Sequence, residues 1–470
     1  MNKIAQVVVI GGGPSGCAAA LSAYNNGCND VVIIEKEPYG RHRIGEILLT
    51  QTILELKDLN IHEEMAEYAK YHKWGRKFAA AYVHGEDRTP WKVQNNHPLS
   101  SPLDQPHVPR CFVDEKNHLW YTLMVKRHEY DEALRAICQK KGIKVIHGAL
   151  KDFHIIREDE VDKSTISSLT IETLNGETIK MQPQFIIDAT GQQAFLARKI
   201  KARKTIDDWG LQARYTYFNK VDFDNAMKHG LFKEGANILS FEDGWCWIAN
   251  LGTDVTSIGI VSRHWDKDEN HFWKKLSNLP EFKTFGLDKA VVVDHKGQPT
   301  SQDNLYVHPN YRFRSEIMRG RNWVCAGDAA MFLDPLLSQG VTLATSFGKQ
   351  AGALAKLITE DSADAVDVLR DYERSYIGEI EVLNKVVSQW YTPEFKFDKN
   401  WLNTAQKIST IFGREIGKDV ESFRWVSNLE NIHHILKDKN DKTFLKELND
   451  VNTIKMIHDF EKDKSNYLEI

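Results

Sequence analysis

Residues 5–16, AQVVVIGGGPSG, decide the fold when read together with residues 31–35, VVIIE. Residues 5–10 are almost continuously apolar and β-branched, which suits a strand buried on both faces of a parallel sheet. The turn Gly11-Gly12-Gly13-Pro14-Ser15-Gly16 follows, then an Ala-rich stretch (17–26) that reads as a helix with Gly27 at its end. Gly11 permits a tight turn out of the strand, Gly13 lets a pyrophosphate approach the backbone, and Gly16 lets helix and sheet pack closely. The helix opens at Pro14 and Ser15, and its N-terminus offers unpaired N–H groups and partial positive charge to phosphates. Glu35 ends the second strand 19 residues after Gly16, where a carboxylate can bind a ribose hydroxyl. A glycine-rich turn alone is often only a turn. Between strand and helix, with its acidic partner, it reads as a dinucleotide-binding unit.

The chain has 470 residues, room for about two or three domains. At 42% hydrophobic and 27% charged residues it is not a disordered polymer. Sixty-one Lys+Arg against 65 Asp+Glu leave a net charge of −4, with no global basic field for nucleic acid. The apolar runs are too short and interrupted to span a bilayer, and the start reads as a strand, not a signal peptide. Six cysteines, at 17, 28, 111, 138, 246 and 325, include no CxxC pair, as expected of reduced thiols in a cytoplasmic protein. No metal-ligand cluster is visible, and His433-His434 reads as structural.

Four further segments bear on which dinucleotide is bound. Residues 41–50, RHRIGEILLT, place Arg43, Gly45 and Glu46 before a helix, though an ordinary charged loop would look the same. Residues 119–125 read as a strand, followed by Arg127, a helix over 130–141 stopped by Gly142, and the strand KVIHGAL. Residues 185–191, FIIDATG, form a buried strand whose small terminal residues let backbone lie against a flat cofactor. Residues 323–341, WVCAGDAAMFLDPLLSQGV, put Asp328 at a strand's carboxyl end, where α/β folds bind ligands and a carboxylate can accept a ribityl hydroxyl. The run from Pro335 to Gly340 and Val341 leads into a helix through 345–358, whose N-terminus would stabilise a reduced, anionic flavin.

Together, GGGPSG with Glu35, Arg43-Ile44-Gly45-Glu46, Arg127, DATG and GDAAMFLDPLLSQGV resemble the class A flavoprotein monooxygenase fold. Within it the chain is similar to the flavin-dependent halogenases, over roughly residues 1–357. The resemblance implies an α/β fold: an FAD-binding Rossmann-like three-layer domain with an antiparallel-sheet substrate domain. It implies FAD, used as FADH2, with chloride or bromide as the halide. In that family FADH2 and O2 give a flavin hydroperoxide, and hypohalous acid formed from it crosses to a lysine that presents the electrophilic halogen to an electron-rich ring. Lys73-Trp74-Gly75-Arg76-Lys77-Phe78 resembles the Lys-x-Gly-x-x-Phe stretch of the phenolic branch, making Lys73 the expected catalytic lysine; a solvated lysine is the plainer reading.

Residues 244–249, GWCWIA, resemble the Trp-x-Trp-x-Ile-Pro signature that crowds the flavin face. Trp245 and Trp247 share one face of a strand, as they would in an ordinary core. The signature's proline is replaced by Ala249 or Asn250, and the serine of the family's Gly-Glu-Ser by Ile47. Leu337 stands where tryptophan halogenases carry a glutamate, which fits the phenolic branch. Ser338 and the backbone N–H groups around Gln339 and Gly340 are the expected halide donors, since a nest of amides holds an anion without side-chain charge. These departures keep aromatic hydroxylation of a small molecule or peptide side chain open as the alternative.

Only one GxGxxG is present; the resemblance to halogenases, which take FADH2 from a separate flavin reductase, implies a two-component system, whereas single-component hydroxylases bind NAD(P)H without a second such motif. The expected partners are thus that reductase and a small-molecule or carrier-tethered phenol, pyrrole or indole, with no nucleic acid and no membrane span. The expected domains are 1–79, 120–204 and 305–387 for FAD, and 80–119 with 205–304 for substrate. In the latter, runs such as LQARYTYF, NILSFE, WCWIANL and TSIGIVS suit an antiparallel sheet. Residues 388–470 read as a helical extension that either covers the substrate site or binds a partner.

Overall fold

A computed structural model describes residues 3–38, 42–83, 88–94, 122–156, 164–206, 210–266, 268, 270–309, 311–360, 362 and 365–391. The expectations for 95–121 and for 392–470, including His433-His434, lie outside the described residues. The chain divides into two compact units, Met1–Thr359 and Glu360–Ile470. Nine α-helices are described: α1 (Pro14–Asn25), α2 (Thr50–Asp58), α3 (His62–His72), α4 (Arg127–Lys140), α5 (Phe195–Lys199), α6 (Phe223–Lys228), α7 (His271–Ser277), α8 (Gly340–Thr359) and α9 (Ala365–Trp390). Of these α9 belongs to the second unit, and it continues through position 387, where the sequence suggested a boundary.

Lys3–Ile10 is the centre of a parallel sheet, fully buried over Val7–Val9 as its unbroken apolar run requires. It pairs with Val31–Glu35 on one side and Thr178–Asp188 on the other. Lys144–Ile156 pairs next to Val31–Glu35, and Trp323–Cys325 next to Thr178–Asp188. The crossover between the two long strands carries Thr165–Thr173, antiparallel to both. This registry gathers Ile10, Glu35, Asp188 and Cys325 at one carboxyl edge, the place where open α/β sheets bind ligands. There the Asp188 carboxylate accepts from the N–H groups of Thr190 (3.0 Å) and Leu196 (2.8 Å), fixing the turn after the strand.

Two close helix contacts set that edge. A Cβ on Gly16 would lie 1.8 Å from the Gly11 carbonyl oxygen, so only glycine allows the turn. Gly348 and Gly352 of α8 would carry Cβ atoms 2.2 and 2.1 Å from the carbonyl oxygens of Ser15 and Ala19. The bare backbone of α8 thus rests on α1. The two N-termini open on the same side of the sheet.

The second sheet is ordered Val291–Val293, Gln212–Asn219, Thr256–Ser262, Gly244–Asn250, Gly235–Phe241, Ala79–Val83, Pro90–Gln94, with Tyr306–Pro309 also on Gln212–Asn219. It is antiparallel as the alternation predicts, save for one parallel pairing, Gly235–Phe241 with Ala79–Val83. One face packs a core of Phe218, Ile248, Ile258, Ile260, Phe272 and Phe285 under α6 and α7. The other faces the first sheet's carboxyl edge. Against the sequence reading, α4 begins at Arg127 rather than 130, and the 266–285 region divides into α7 and a 3-10 turn at Pro280–Phe282.

Candidate functional site

A cavity of about 380 Å³, a size usual for ligand pockets, lies between the carboxyl edge and the second sheet. Its floor at one end is the glycine turn. Gly11 holds φ +107°, and a Cβ there would meet the Ala189 carbonyl at 2.3 Å; at Gly13 it would meet nothing within 4 Å. Gly11, Gly13, Pro14 and Ser15 line the cavity with Glu35, while Gly16 stands behind them. The Glu35 carboxylate accepts from the N–H groups of Gly12 (2.6 Å) and Glu37 (2.8 Å), which ties strand end to turn. Ser15 Oγ is buried with no partner, and so is Nη2 of Arg135, whose Nη1 donates to the Gly12 carbonyl at 3.2 Å.

Arg127, Asp131 and Arg135 project into the cavity from successive turns of α4. Arg127 is held by a two-pronged pair with Asp131 (2.9 and 3.1 Å) and by the Ile44 carbonyl (2.6 Å). Burial works against its charge, but the Asp131 carboxylate, helped by Tyr130 and Asp328, offsets this and leaves its pKa raised. Gly45 gives the guanidinium room: a Cβ at its φ of +97° would sit 2.8 Å from Nη1. Two carboxyls flank Arg127. Burial pushes Asp328 up to about 7, with Arg127 pulling it back down, and Gln192 hydrogen-bonded to it. Burial likewise pushes Glu46 up to about 7, opposed by hydrogen bonds from Ser257 and Tyr217 and by Arg127. Pro335, Ser338, Gly340 and Val341 complete this end as α8 begins. Ser338 takes a left-handed φ of 55°, and its N–H donates to the Pro335 carbonyl at 2.9 Å.

The wall toward the second sheet is aromatic. Trp245 and Trp247 both line the cavity, their ring centres 5.8 Å apart. Gly259, opposite Trp247 in the register, leaves space for the indole: a Cβ there would be 2.2 Å from it. His42 lies against Tyr306 at 3.9 Å between ring centres. Burial, then neighbouring His295, His308, His128 and Arg127, lower its pKa to about 3, so it is a neutral imidazole.

Of the expected site residues, Gly11, Gly13, Pro14, Ser15, Glu35, Arg43, Gly45, Glu46, Arg127, Asp328, Pro335, Ser338, Gly340, Val341, Trp245 and Trp247 share the one cavity. Gln339 is buried but off its lining. Lys73 is the residue set apart. It ends α3 in a left-handed conformation (φ 55°), exposed, and lines no part of the cavity. Lys77, four residues on, is buried, and burial lowers its pKa to about 8. Sequence reading missed Arg135, His42 and Ser257. The i, i+4, i+8 spacing of Arg127, Asp131 and Arg135 on the buried face of an amphipathic helix was the available signal for the first. Among the described residues no cluster of three metal-capable side chains occurs, and no helix is long and apolar enough to cross a membrane.

The tryptophan halogenase family model matches residues 6–97 and 100–453. A tryptophan 2-halogenase of Chondromyces crocatus is 26% identical over 86% of this chain and 71% of its own. A 1H-pyrrole-2-carbonyl-[peptidyl-carrier protein] brominase of Pseudoalteromonas luteoviolacea is 24% identical over 87% and 84%. Among solved structures, the myxobacterial chondrochloren halogenase, an FAD-dependent halogenase, matches with a TM-score of 0.70 at 20% identity, over 92% of this chain and 97% of that one.

Proposed function

The chain belongs to the tryptophan halogenase family, and from that premise we propose that it halogenates an electron-rich aromatic ring with FAD, O2 and chloride or bromide. The observation that carries this is a single cavity shared by the glycine turn of α1 and the N-terminus of α8. The residues fit FAD. Ser15 Oγ and Arg135 Nη2 are buried donors without partners, and the space over Gly13 is open, as a pyrophosphate needs. Glu35 would hold the adenine-side ribose, Asp328 a ribityl hydroxyl, and Arg43, Gly45 and Arg127 the segment between. When bound and reduced, FAD would supply the two electrons that bring O2 to the peroxide level, and oxygen at that level is the two-electron oxidant that makes a halide an electrophilic halogen.

The chain's own residues do the rest. The α8 N-terminus at Gly340 and Val341 presents partial positive charge to whatever anion forms beside it. The turn at Ser338, Gln339 and Gly340 is the proposed halide cradle. Trp245 and Trp247 wall the cavity, so the organic substrate reacts with a mobile oxidised halogen rather than with the cofactor. Lys73, at the exposed end of α3, is the proposed relay by its motif. The substrate would be a phenol, pyrrole or indole, free or carrier-bound as the pyrrole relative's name describes for that protein. A separate reductase would deliver the FADH2, and the setting would be cytoplasmic. The domain limits are proposed as 1–79, 120–204 and 305–387 for FAD and 80–119 with 205–304 for substrate.

The test is turnover with FADH2 from an added reductase, scanning both halides over phenol, pyrrole and indole acceptors. A product with a halogen isotope pattern is expected. A product carrying one added oxygen, indifferent to halide, would overturn the reading in favour of hydroxylation, for which Ala249 and Ile47 speak.

A further inference from the structure

Gly12 stands between Gly11 and Gly13, at a position the dinucleotide fingerprint leaves open to any residue. The structure gives a reason for glycine there. An added Cβ would lie 2.9 Å from Arg135 Cδ and 3.1 Å from Glu35 Oε2, so the arginine and the carboxylate close over the same bare backbone. Arg135 reaches across from α4, 7% exposed, and its Nη1 donates to the Gly12 carbonyl at 3.2 Å. Its Nη2 is buried and has no partner among the described residues, although the side chain lines the cavity.

Arg127 and Arg135 enter the cavity from one helix but are not equivalent. Eight residues set them about 12 Å apart along its axis. Asp131, between them, gives both of its oxygens to Arg127. Arg127 is thereby a paired ion, with Asp328 near it at the α8 end. Arg135 makes no ion pair among the described residues, so its charge is buried at the α1 end with a neutral carbonyl as its partner. A buried charge is costly until a counter-ion reaches it. The same place needs a cation. An anion set on the α1 N-terminus comes down beside the Glu35 carboxylate, and the helix offers only about half a positive charge against it.

We propose that Arg135 is the phosphate ligand at the adenosine end of the cavity, a guanidinium laid across Gly12 and left unpaired by the commitment of Asp131 to Arg127, and that it sets how tightly the adenosine diphosphate half of the cofactor is retained. This rests on reading the cavity as the FAD site. It divides the labour along α4. The adenosine half is the same in FAD and FADH2, so Arg135 strengthens the binding of both equally, and the difference between the two redox states is left to the α8 end.

Calorimetric titration of the FAD-free protein with ADP isolates this half from flavin chemistry. Arg135→Met keeps an unbranched stem and removes the charge, and the Gly12 carbonyl still accepts from Cys17 Sγ at 3.4 Å. ADP affinity should fall about tenfold or more, the loss of one charge-assisted hydrogen bond. The melting temperature of the free protein should stay at or above the parent's, because a buried unpaired charge is gone. Adenosine, followed by saturation-transfer NMR, should bind parent and variant alike, and FAD held by Arg135→Met should keep the parent's reduction potential. Equal ADP affinity in parent and variant would overturn the proposal. So would a lowered melting temperature, which makes Arg135 a prop for the turn, or adenosine weakened as much as ADP, which assigns it to the ribose. Should Arg135→Met not fold, Gly12→Ala decides: its methyl takes the place of the arginine stem, and an ADP affinity equal to the parent's refutes the proposal. A parent that binds no ADP would instead sink the reading of the cavity as a dinucleotide site.

Discussion

Gly13→Ala and Gly16→Ala separate the two tasks of one glycine turn. Gly13 caps α1 with φ −82° and ψ −171°, a conformation open to any residue, and an added Cβ touches nothing within 4 Å. Alanine there loses only the N-cap advantage of glycine, about 0.5–1 kcal/mol. If a pyrophosphate packs on that turn, the methyl takes its space, and FAD affinity falls at least about tenfold, or about 1.4 kcal/mol. Gly16 is the reverse. Its Cβ would lie 1.8 Å from the Gly11 carbonyl oxygen, where ordinary contact begins at 3.4 Å, and backbone cannot yield as a side chain can. We expect Gly16→Ala to cost about 3 kcal/mol of stability. Thermal melts of the FAD-free variants and titration of flavin fluorescence measure both quantities. Gly13→Ala should melt close to the parent and bind FAD weakly. An FAD affinity equal to the parent's would refute the placement of the phosphates on this turn.

Three other outcomes are expected. Gly348→Ala drives a methyl into the Ser15 carbonyl, 2.2 Å away, and should destabilise by about 1–3 kcal/mol while weakening FAD, since α1 and α8 part at the site; a melt equal to the parent's would contradict the packing. Glu46 and Asp328 are both raised to about 7 by burial. Each holds its proton more tightly folded than unfolded, so its stabilisation is complete below about 4 and is lost as pH rises through about 7, on the order of 3 kcal/mol for Glu46. Melting temperature of the FAD-free protein should fall over that window, less steeply in Glu46→Gln; a rise would contradict it. Lys73→Ala should abolish halogenation while reduced flavin still consumes O2, and retained halogenation would remove Lys73 from the mechanism and direct attention to buried Lys77.

What the sequence disclosed was what chain neighbours decide. The strand–turn–helix at 5–26 and its Glu35 are local patterns, and burial on both sides explains why the strand reads as it does. The start of α8 and the Trp245–Trp247 pair were equally readable, one from the Pro335-to-Gly340 turn, the other from the two-residue period of a strand. Contacts between distant segments were not. Gly348 and Gly352 look like poor helix residues until the backbone of α1 is found against them. Ser257 and Thr256 read as ordinary polar residues in an apolar strand; only the neighbouring strand, which brings Trp247 Nε1 to donate to Ser257 Oγ at 3.0 Å, gives Ser257 its task. Lys73 shows the opposite failure. Its motif is local, but its place, exposed at the left-handed end of α3, is set by the fold, which no motif encodes.

The central claim is tested most directly by the crystal structure of the protein soaked or grown with FAD. The account predicts adenosine density beside Glu35, pyrophosphate over Gly13 and Ser15, and the isoalloxazine between the start of α8 at Gly340 and the wall of Trp247. FAD bound elsewhere, or a cavity closed by side chains at saturating FAD, would contradict it.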